Sequence, residues 1–445
     1  MISRLRSQPN VLAREATPSG DHALADRGQP LAAARGRETP IAPIRIGLFG
    51  LFGCGNTGND GSLEAMLLFL RRVRPNADLA CFCAPRHEAA AQVERNFGLF
   101  AIPYGIPEPS NALLRSLDRL TLQGPRKLSS FVRAIWHTRK LDLLIVAGGG
   151  ALEGFGTSLY GRPLTLFAWC LAARLCSAKV AFVSIGAGSI GHPVSRWLFK
   201  SAIAMAQYRS YRDMISKTFM ESIGFDTRGD PVYPDIAFKL PEPSSSCRHE
   251  TEDGPPAVGV GVMAFHGWRK DRASGEAVYA IYVEKITRFV LWLLDRGHPV
   301  RLLMGETGDW EAVTDVVTEV AIARPKLPPD RLLADRSDSI HALMRQLAET
   351  DVVVATRFHN VVCALKLGKP TVSIGYGEKN EALMAEMGLG RFCQHIEPLD
   401  LDLLIDQFTH LISDRGGYEQ SVRDANLRLQ TRLDRQEAIL TLDFL

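Results

Sequence analysis

Ile44-Arg45-Ile46-Gly47-Leu48-Phe49, followed three residues later by Gly53-Cys54-Gly55-Asn56-Thr57-Gly58, is the stretch from which the fold is read. A short apolar run that ends in glycines predicts a buried first strand. Beyond it the spacing becomes helical over residues 62–72, with Leu63, Met66, Leu67 and Leu70 on one face. The same alternation continues outward. Apolar runs at 77–83, 143–147 and 180–185 predict further strands, and 87–97 predicts a helix. The runs at 143–147 and 180–185 each end in a glycine-rich turn before a helical segment. Strands alternating with helices in this way predict a parallel sheet covered on both faces.

Composition shifts at Pro241-Glu242-Pro243-Ser244-Ser245-Ser246 and stays polar to Gly254-Pro255-Pro256, which predicts a linker over 241–256. The alternation then restarts, with strands predicted at 257–263, 300–304, 351–355 and 371–374 and a helix at 279–295. The expected organisation is α/β, with two doubly wound Rossmann-like domains facing a cleft: a flexible tail over 1–43, a first domain over 44–240, the linker, and a second domain over 257–445 that ends in helices.

The 445 residues are 46% hydrophobic and 23% charged, an ordinary globular composition with enough apolar surface for a large core. The 52 basic and 49 acidic residues leave a net charge of +3, which excludes a broadly basic surface and so a general nucleic-acid partner. Eight cysteines show no CxxC pair and no zinc-like spacing, and most lie in apolar stretches, so a reducing, cytoplasmic setting is expected. The best apolar run, 164–173, is cut off by Arg174, so no transmembrane segment is expected. The first 43 residues are rich in Arg, Ala and Pro and lack a signal-peptide apolar core.

Gly53 to Gly58 matches GxGxxG where a dinucleotide fingerprint belongs. Asp78, about 20 residues on, enters the second strand instead of leaving it, which is the wrong end for a ribose. The pattern also recurs at Gly186-Ala187-Gly188-Ser189-Ile190-Gly191. An NAD site is therefore not expected. What remains is three glycine turns, at 53–61, 148–150 and 186–191, lining one sheet edge where a ligand can approach backbone. Gly55, Asn56, Asp60, Gly149, Gly150, Glu153 and Gly188 are the candidates for facing that ligand. Asp60 and Glu64 have a second reading as first-turn acids that complement the helix dipole.

The second half carries the cations. Strand 351–355 runs into Thr356-Arg357-Phe358-His359-Asn360, and strand 371–374 runs into Gly375-Tyr376-Gly377-Glu378-Lys379. Two consecutive parallel strands would bring Arg357, His359 and Lys379 to one carboxyl edge beside a helix N-terminus, with Thr356 as the expected N-cap. Cations there oppose the helix dipole, so a bound anion is the better explanation. Arg212 enters a helix that Asp213 or Ser216 can cap, and Asp235 is placed to orient a cation or accept from a hydroxyl. His249-Glu250-Thr251-Glu252-Asp253 lies in the linker and Asp400-Leu401-Asp402 opens a helix, so no metal site is expected.

Together these motifs resemble the polysaccharide pyruvyl transferase family, from about Ile44 to Leu389. The resemblance rests on the Gly-Asn-Thr-Gly turn, Gly148-Gly149-Gly150, Gly186-Ala187-Gly188, Arg212-Asp213 with Ser216, and Pro234-Asp235-Ile236-Ala237-Phe238. It rests also on Arg357-Phe358-His359 and on Tyr376 and Lys379 running into Leu383-Met384 and Gly388-Leu389. It implies a fold like that of GT-B glycosyltransferases and transfer of the pyruvyl group of phosphoenolpyruvate to a saccharide as a ketal, with release of phosphate. Phosphoenolpyruvate would be a co-substrate and no cofactor is implied. Arg212, Arg357, His359 and Lys379 correspond to the donor-binding and catalytic residues, His359 as general acid or base. The acceptor would be an exopolysaccharide or cell-surface glycan, with a lipid-linked form and peripheral membrane association compatible with the chain. The family's Asn-x-Gly-Asp reads Asn56-Thr57-Gly58-Asn59-Asp60 here, which leaves Asn59 and Asp60 as contenders for the acidic slot. The alternatives are a GT-B glycosyltransferase using a nucleotide sugar and a non-catalytic glycan-binding protein.

Overall fold

Every β-branched or small residue of Val352-Val353-Val354-Ala355 is buried, as is all of Leu143-Leu144-Ile145-Val146-Ala147. Strands with no solvent face need cover on both sides, and that requirement organises the molecule. A computed structural model describes residues 43–84, 87–121, 123–154, 161–244, 254–267 and 272–445. The predicted tail short of Pro43, the middle of the predicted linker (245–253) and the His249–Asp253 cluster lie outside the described residues.

In chain order the strands are β1 (Arg45–Phe49), β2 (Asp78–Cys83), β3 (Ala101–Pro103), β4 (Leu143–Ala147), β5 (Leu152–Glu153), β6 (Lys179–Ile185), β7 (Ala187–Gly188) and β8 (Tyr208–Tyr211). They continue with β9 (Val258–Gly261), β10 (Val300–Leu303), β11 (Leu332–Ala334), β12 (Val352–Ala355), β13 (Thr371–Gly375) and β14 (Cys393–His395). One six-stranded sheet has the order β3-β2-β1-β4-β6-β8 and the other β11-β10-β9-β12-β13-β14. All neighbours are parallel; Leu48 of β1, for instance, lies opposite Cys81 of β2 and Ile145 of β4. In each sheet the chain starts at a central strand, winds to one edge, and reverses beside its starting strand. That reversal opens a crevice at the carboxyl edge. β5 and β7 form a small separate pair at that edge of the first sheet.

The last helix, Arg415–Asp443, joins the halves. Gln430 donates to the Phe238 carbonyl (2.6 Å), and Gln436 donates to Ser210 Oγ (2.8 Å). Ser184 in turn donates to Gln436 (3.0 Å). Ser184 sits at φ 48° in an irregularity of the β6–β8 pairing, a left-handed conformation a serine adopts only when its surroundings hold it. That bulge carries the chain to Gly186 at the crevice.

Candidate active site

Arg212 leaves β8 and sits almost fully buried, at 5% exposure. Its guanidinium faces carboxylates of Asp213 (3.3 Å), Glu153 (3.5 Å) and Asp235 (3.7 Å). Burial works against the charge, but the three acids more than offset it and hold the guanidinium firmly protonated. The ring of Phe358 lies under it at 4.5 Å. Asp213 has a second task, accepting from Ser216 N–H (2.6 Å) as N-cap of the helix Met214–Ser222. Of the two predicted caps, Asp213 is the one used; Ser216 Oγ instead accepts from Ala187 N–H (3.0 Å).

Lys379 lies in the first turn of the helix Glu378–Glu386, just past β13, and reaches Glu153 at 3.6 Å. Its ammonium lies 5.0 Å from the Tyr376 ring and 5.6 Å from that of Phe358. Glu153, expected on the acceptor side, thus bridges two cations from different sheets. Burial alone would raise its pKa, but Lys379, Arg212 and Arg162 outweigh burial and hold the carboxyl below its usual range.

His359 lies just past β12, in the first turn of the helix Phe358–Lys366. Its Nε2 faces Asp235 Oδ2 at 3.6 Å, and neither atom has a hydrogen-bond partner among the described residues. Asp235 is 3% exposed, and burial alone would raise its pKa. The imidazole and Arg212 more than offset that, keeping the carboxyl ionised. The other face of the imidazole lies against Gly58. A Cβ added at Gly58 would come within 1.9 Å of His359 Nδ1. The glycine turn of the first sheet is therefore the mould for the histidine of the second.

Arg357 takes a different direction. It is clasped by Asp309, through Nη2 (2.6 Å) and Nε (2.9 Å), and by Glu306 at 2.8 Å. Asp309 is fully buried and also accepts from the N–H groups of Ala264, Gly305 and Glu306. The same 305–307 segment meets the first glycine turn: Thr57 donates to the Gly305 carbonyl (2.9 Å through Oγ1), and Thr307 N–H donates to that of Gly55 (3.2 Å). Arg357 thereby stiffens the seam between the halves. Arg357 is the N-cap residue of its helix and makes no side-chain cap. The expected cap, Thr356, instead bonds the Gly261 carbonyl and the Tyr282 hydroxyl.

The glycine turns divide by cause. Gly53, Gly55, Gly148 and Gly149 have φ between 58° and 85°, where L side chains are strained. Gly150 and Gly186 have no such φ; added Cβ atoms there would strike Glu153 at 2.4 Å and Arg212 at 2.6 Å. Gly188 faces open space. Asn56 is the N-cap of the helix Thr57–Val73, accepting from Gly58 and Asn59 (both 3.2 Å). Asp60 accepts from Gly53 N–H (2.7 Å), and burial pushes its pKa up to about 6. Asn56 and Asp60, two of the three polar side chains expected on the acceptor side, are thus engaged in shaping the turn. Asn59 lies nearer the glycines of 148–150, with Oδ1 3.0 Å from where a Gly149 Cβ would be.

A cleft of about 650 Å³ opens where Arg212, Glu153 and Lys379 meet, walled by Gly188, Ser189, the start of the helix Met214–Ser222 and Tyr376–Glu378. Two helix N-termini converge on it, and the one at Gly377 has no side-chain cap. Such ends favour anions. With Arg212 and Lys379 beside them, the cleft is built for a small, multiply charged anion. Among the described residues no cluster of three or more His, Cys, Asp or Glu could hold a metal ion, and no helix is long and apolar enough to cross a membrane.

Phe358, Arg162, Glu306 and Asp309 are site residues that sequence reasoning missed. Phe358 read as the spacer of Arg-x-His, and the two acids lie some fifty residues from the arginine they clasp, in a short 3-10 turn without periodicity.

The fold is shared with solved sugar-processing enzymes. The UDP-GlcNAc 2-epimerase of Neisseria meningitidis superposes with a TM-score of 0.54 at 14% identity, covering 88% of this chain and 100% of that one. Anabaena Alr3699/HepE, solved with UDP and glucose, gives 0.52 at 15% identity over 90% and 100% of the two chains. The Methanocaldococcus jannaschii UDP-GlcNAc 2-epimerase gives 0.53 at 10% identity over 82% and 92%. These likenesses establish a GT-B fold and nothing about substrate. No curated protein matches the sequence. The family model described as polysaccharide pyruvyl transferase matches residues 56–378, from the Gly-Asn-Thr-Gly turn to the residue before Lys379. By that match, which covers most of its length, the chain belongs to the polysaccharide pyruvyl transferase family.

Proposed function

We propose that the chain transfers the pyruvyl group of phosphoenolpyruvate to two hydroxyls of a saccharide, forming a ketal and releasing phosphate, in the cytoplasmic assembly of an exopolysaccharide or cell-surface glycan. The observation that carries this reading is the meeting of Arg212, Lys379 and His359, drawn from both sheets, around the two acids Glu153 and Asp235. Phosphoenolpyruvate has a carboxylate and a phosphate on one carbon, and two cations flanked by two helix N-termini match that charge.

The chemistry needs a proton at the donor methylene and relief of charge at the departing phosphate. Protonation of the methylene by His359 creates a methyl group and oxocarbenium character at the carbon bearing phosphate, which the first sugar hydroxyl attacks as its proton passes back to the imidazole. The carbon–oxygen bond to phosphate then breaks, phosphate leaves with the electron pair, and the second hydroxyl closes the ketal as its proton passes to phosphate. His359 is the proton carrier, and the ionised Asp235, 3.6 Å from its Nε2, orients the ring. Arg212 and Lys379 hold the donor and stabilise the leaving phosphate. Glu153 lies between them and has to yield to the donor's own anionic groups. Arg357 supports the seam and reaches the donor only if Glu306 releases it. The acceptor saccharide, free or lipid-linked, would occupy the glycine-lined side of the cleft.

Incubation with phosphoenolpyruvate and a panel of glycans tests this, read as phosphate release and as the mass gain of a ketal. His359→Ala and Lys379→Ala are expected to lose turnover while staying folded. Phosphate release absent with every acceptor, combined with thermal protection by UDP-sugars and not by phosphoenolpyruvate, would identify a nucleotide-sugar transferase instead.

A further inference from the structure

The crossover from β3 to β4 runs through two helices, Ala112–Leu120 and Gly124–Thr138, whose apolar faces point the wrong way for a core. Leu113, Leu117 and Leu120 recur at helical spacing on the first, and Leu128, Val132 and Trp136 on the second. Every one of these side chains is more than half exposed. A helix in a globular protein normally turns such a stripe inward. Two adjoining stripes left in solvent form a patch of the kind that marks an interaction surface.

Charge identifies the partner. Residues 112–140 contain seven Lys and Arg against one acid, Asp118, and that acid is bound to Arg126 at 3.0 Å. The whole chain carries only +3, so the rest of it is net acidic and the positive excess is concentrated on this hairpin. Arg139 and Lys140 are exposed, and the Arg139 guanidinium lies 3.4 Å over the Trp136 ring. Leucine and tryptophan on one face with cations along the border is the composition of a helix lying in a membrane interface. The apolar surface extends further. A cavity of about 210 Å³ lies between the second helix and Leu164–Leu171, and exposed Trp197 packs on Phe167 at 5.6 Å beside it. Tyr104 lines both this cavity and the one under the Gly148–Gly150 turn, so the patch adjoins the glycine-lined side of the first sheet.

We propose that these two helices form a docking surface for an anionic lipid bilayer. The proposal stands independently of the transferase reading. Six apolar side chains would enter the acyl boundary while Arg139, Lys140 and their basic neighbours meet lipid phosphates.

Co-sedimentation of the full chain with phosphatidylcholine vesicles, with and without phosphatidylglycerol, tests it. The chain is expected to bind the phosphatidylglycerol vesicles, and rising salt should weaken binding. Arg139→Gln with Lys140→Gln should reduce partitioning by about fivefold for each cation removed. Leu117→Ser with Trp136→Ser should abolish binding to the phosphatidylglycerol vesicles, and circular dichroism of both variants should be unchanged because all four side chains are exposed. No binding by the wild-type chain, or wild-type partitioning by both variants, overturns the proposal. So does a concentration-dependent dimer that Leu117→Ser with Trp136→Ser dissolves in the absence of vesicle binding, since the patch would then join two copies.

Discussion

Gly58→Ala is the smallest change that reaches the candidate site, and its effect can be worked from the structure. The new Cβ would lie 1.9 Å from His359 Nδ1, 2.1 Å from Cγ and 2.4 Å from Cε1. The imidazole must therefore retreat by about 1.5 Å to regain ordinary contact. It has little room, since Phe358 lies edge-on at 5.3 Å and Asp235 faces its far nitrogen. Overpacking of this kind costs about 1–3 kcal/mol, offset by up to about 1 kcal/mol from replacing a helical glycine with alanine. The variant should fold. Its turnover should not survive, because a misplacement of about 1 Å lowers a positioned step roughly 10²-fold. The assay is steady-state phosphate release for wild type, Gly58→Ala, His359→Ala and the double variant. The three atoms nearest the new methyl all belong to the ring, so Gly58→Ala should have little further effect in the His359→Ala background. The coupling energy should be about 2.7 kcal/mol, the equivalent of that 10²-fold. A Gly58→Ala enzyme within about twofold of wild type would refute the reasoning. Additive losses in the double variant would do so equally, by showing that the methyl acts elsewhere.

The same geometry sets three further outcomes. Asp60 is raised by burial from 3.8 to about 6, so the folded state binds its proton more tightly than the unfolded chain does, and stability from this group falls as pH rises through that window. Asp60→Asn keeps an acceptor for Gly53 N–H; denaturant titrations should find it more stable than wild type at neutral pH, by at most about 3 kcal/mol, and no more stable near pH 4. Glu153→Gln removes the carboxylate between Arg212 and Lys379, so KM for phosphoenolpyruvate should fall; a rise would mean that Glu153 helps to hold the donor. Asp309→Ala leaves Arg357 without its buried partner and three backbone N–H groups without an acceptor, and chemical denaturation should register a loss of about 3–5 kcal/mol.

Strands β4 and β12 were legible because each is a continuous apolar run, and β4 spans the predicted residues 143–147. The edges were not. β3, β11 and β14 are three residues each, too short to display a period, and their pairing is decided by the neighbouring strand. In the site, Arg212, His359 and Lys379 could be placed because parallel strands deliver the residues just beyond them to one edge. Direction could not be read. Arg357 and His359 are two residues apart, yet one turns to Asp309 and the other to Asp235, and nothing local distinguishes them. Glu153 was placed beside the right turn, but its pairing with Lys379 depends on how two sheets face each other, which no single stretch encodes.

The glycines explain how a site of this kind is held in place. Read along the sequence, they are alike, and all suggest room for a ligand. In space they separate into those that bend the chain and those that leave room. Gly53, Gly55, Gly148 and Gly149 have positive φ, so alanine there is strained wherever its methyl points. Gly58, Gly186 and Gly305 have ordinary φ, and the room they leave is occupied by His359, by Arg212, and by Arg357 with Asn360. Three members of the cationic constellation are thus each seated against a glycine. Gly58 lies in the first turn of a helix and Gly186 and Gly305 in loops, each against a side chain delivered by the facing sheet or by its own. A site assembled from two sheets has to fix its side chains before any ligand arrives, because long cations lose most when left to choose their own rotamers. Close backbone does that without presenting a competing polar group. Substituting the first group should therefore cost stability, and substituting the second should cost turnover; a series in which both groups behaved alike would show that the distinction has no functional content.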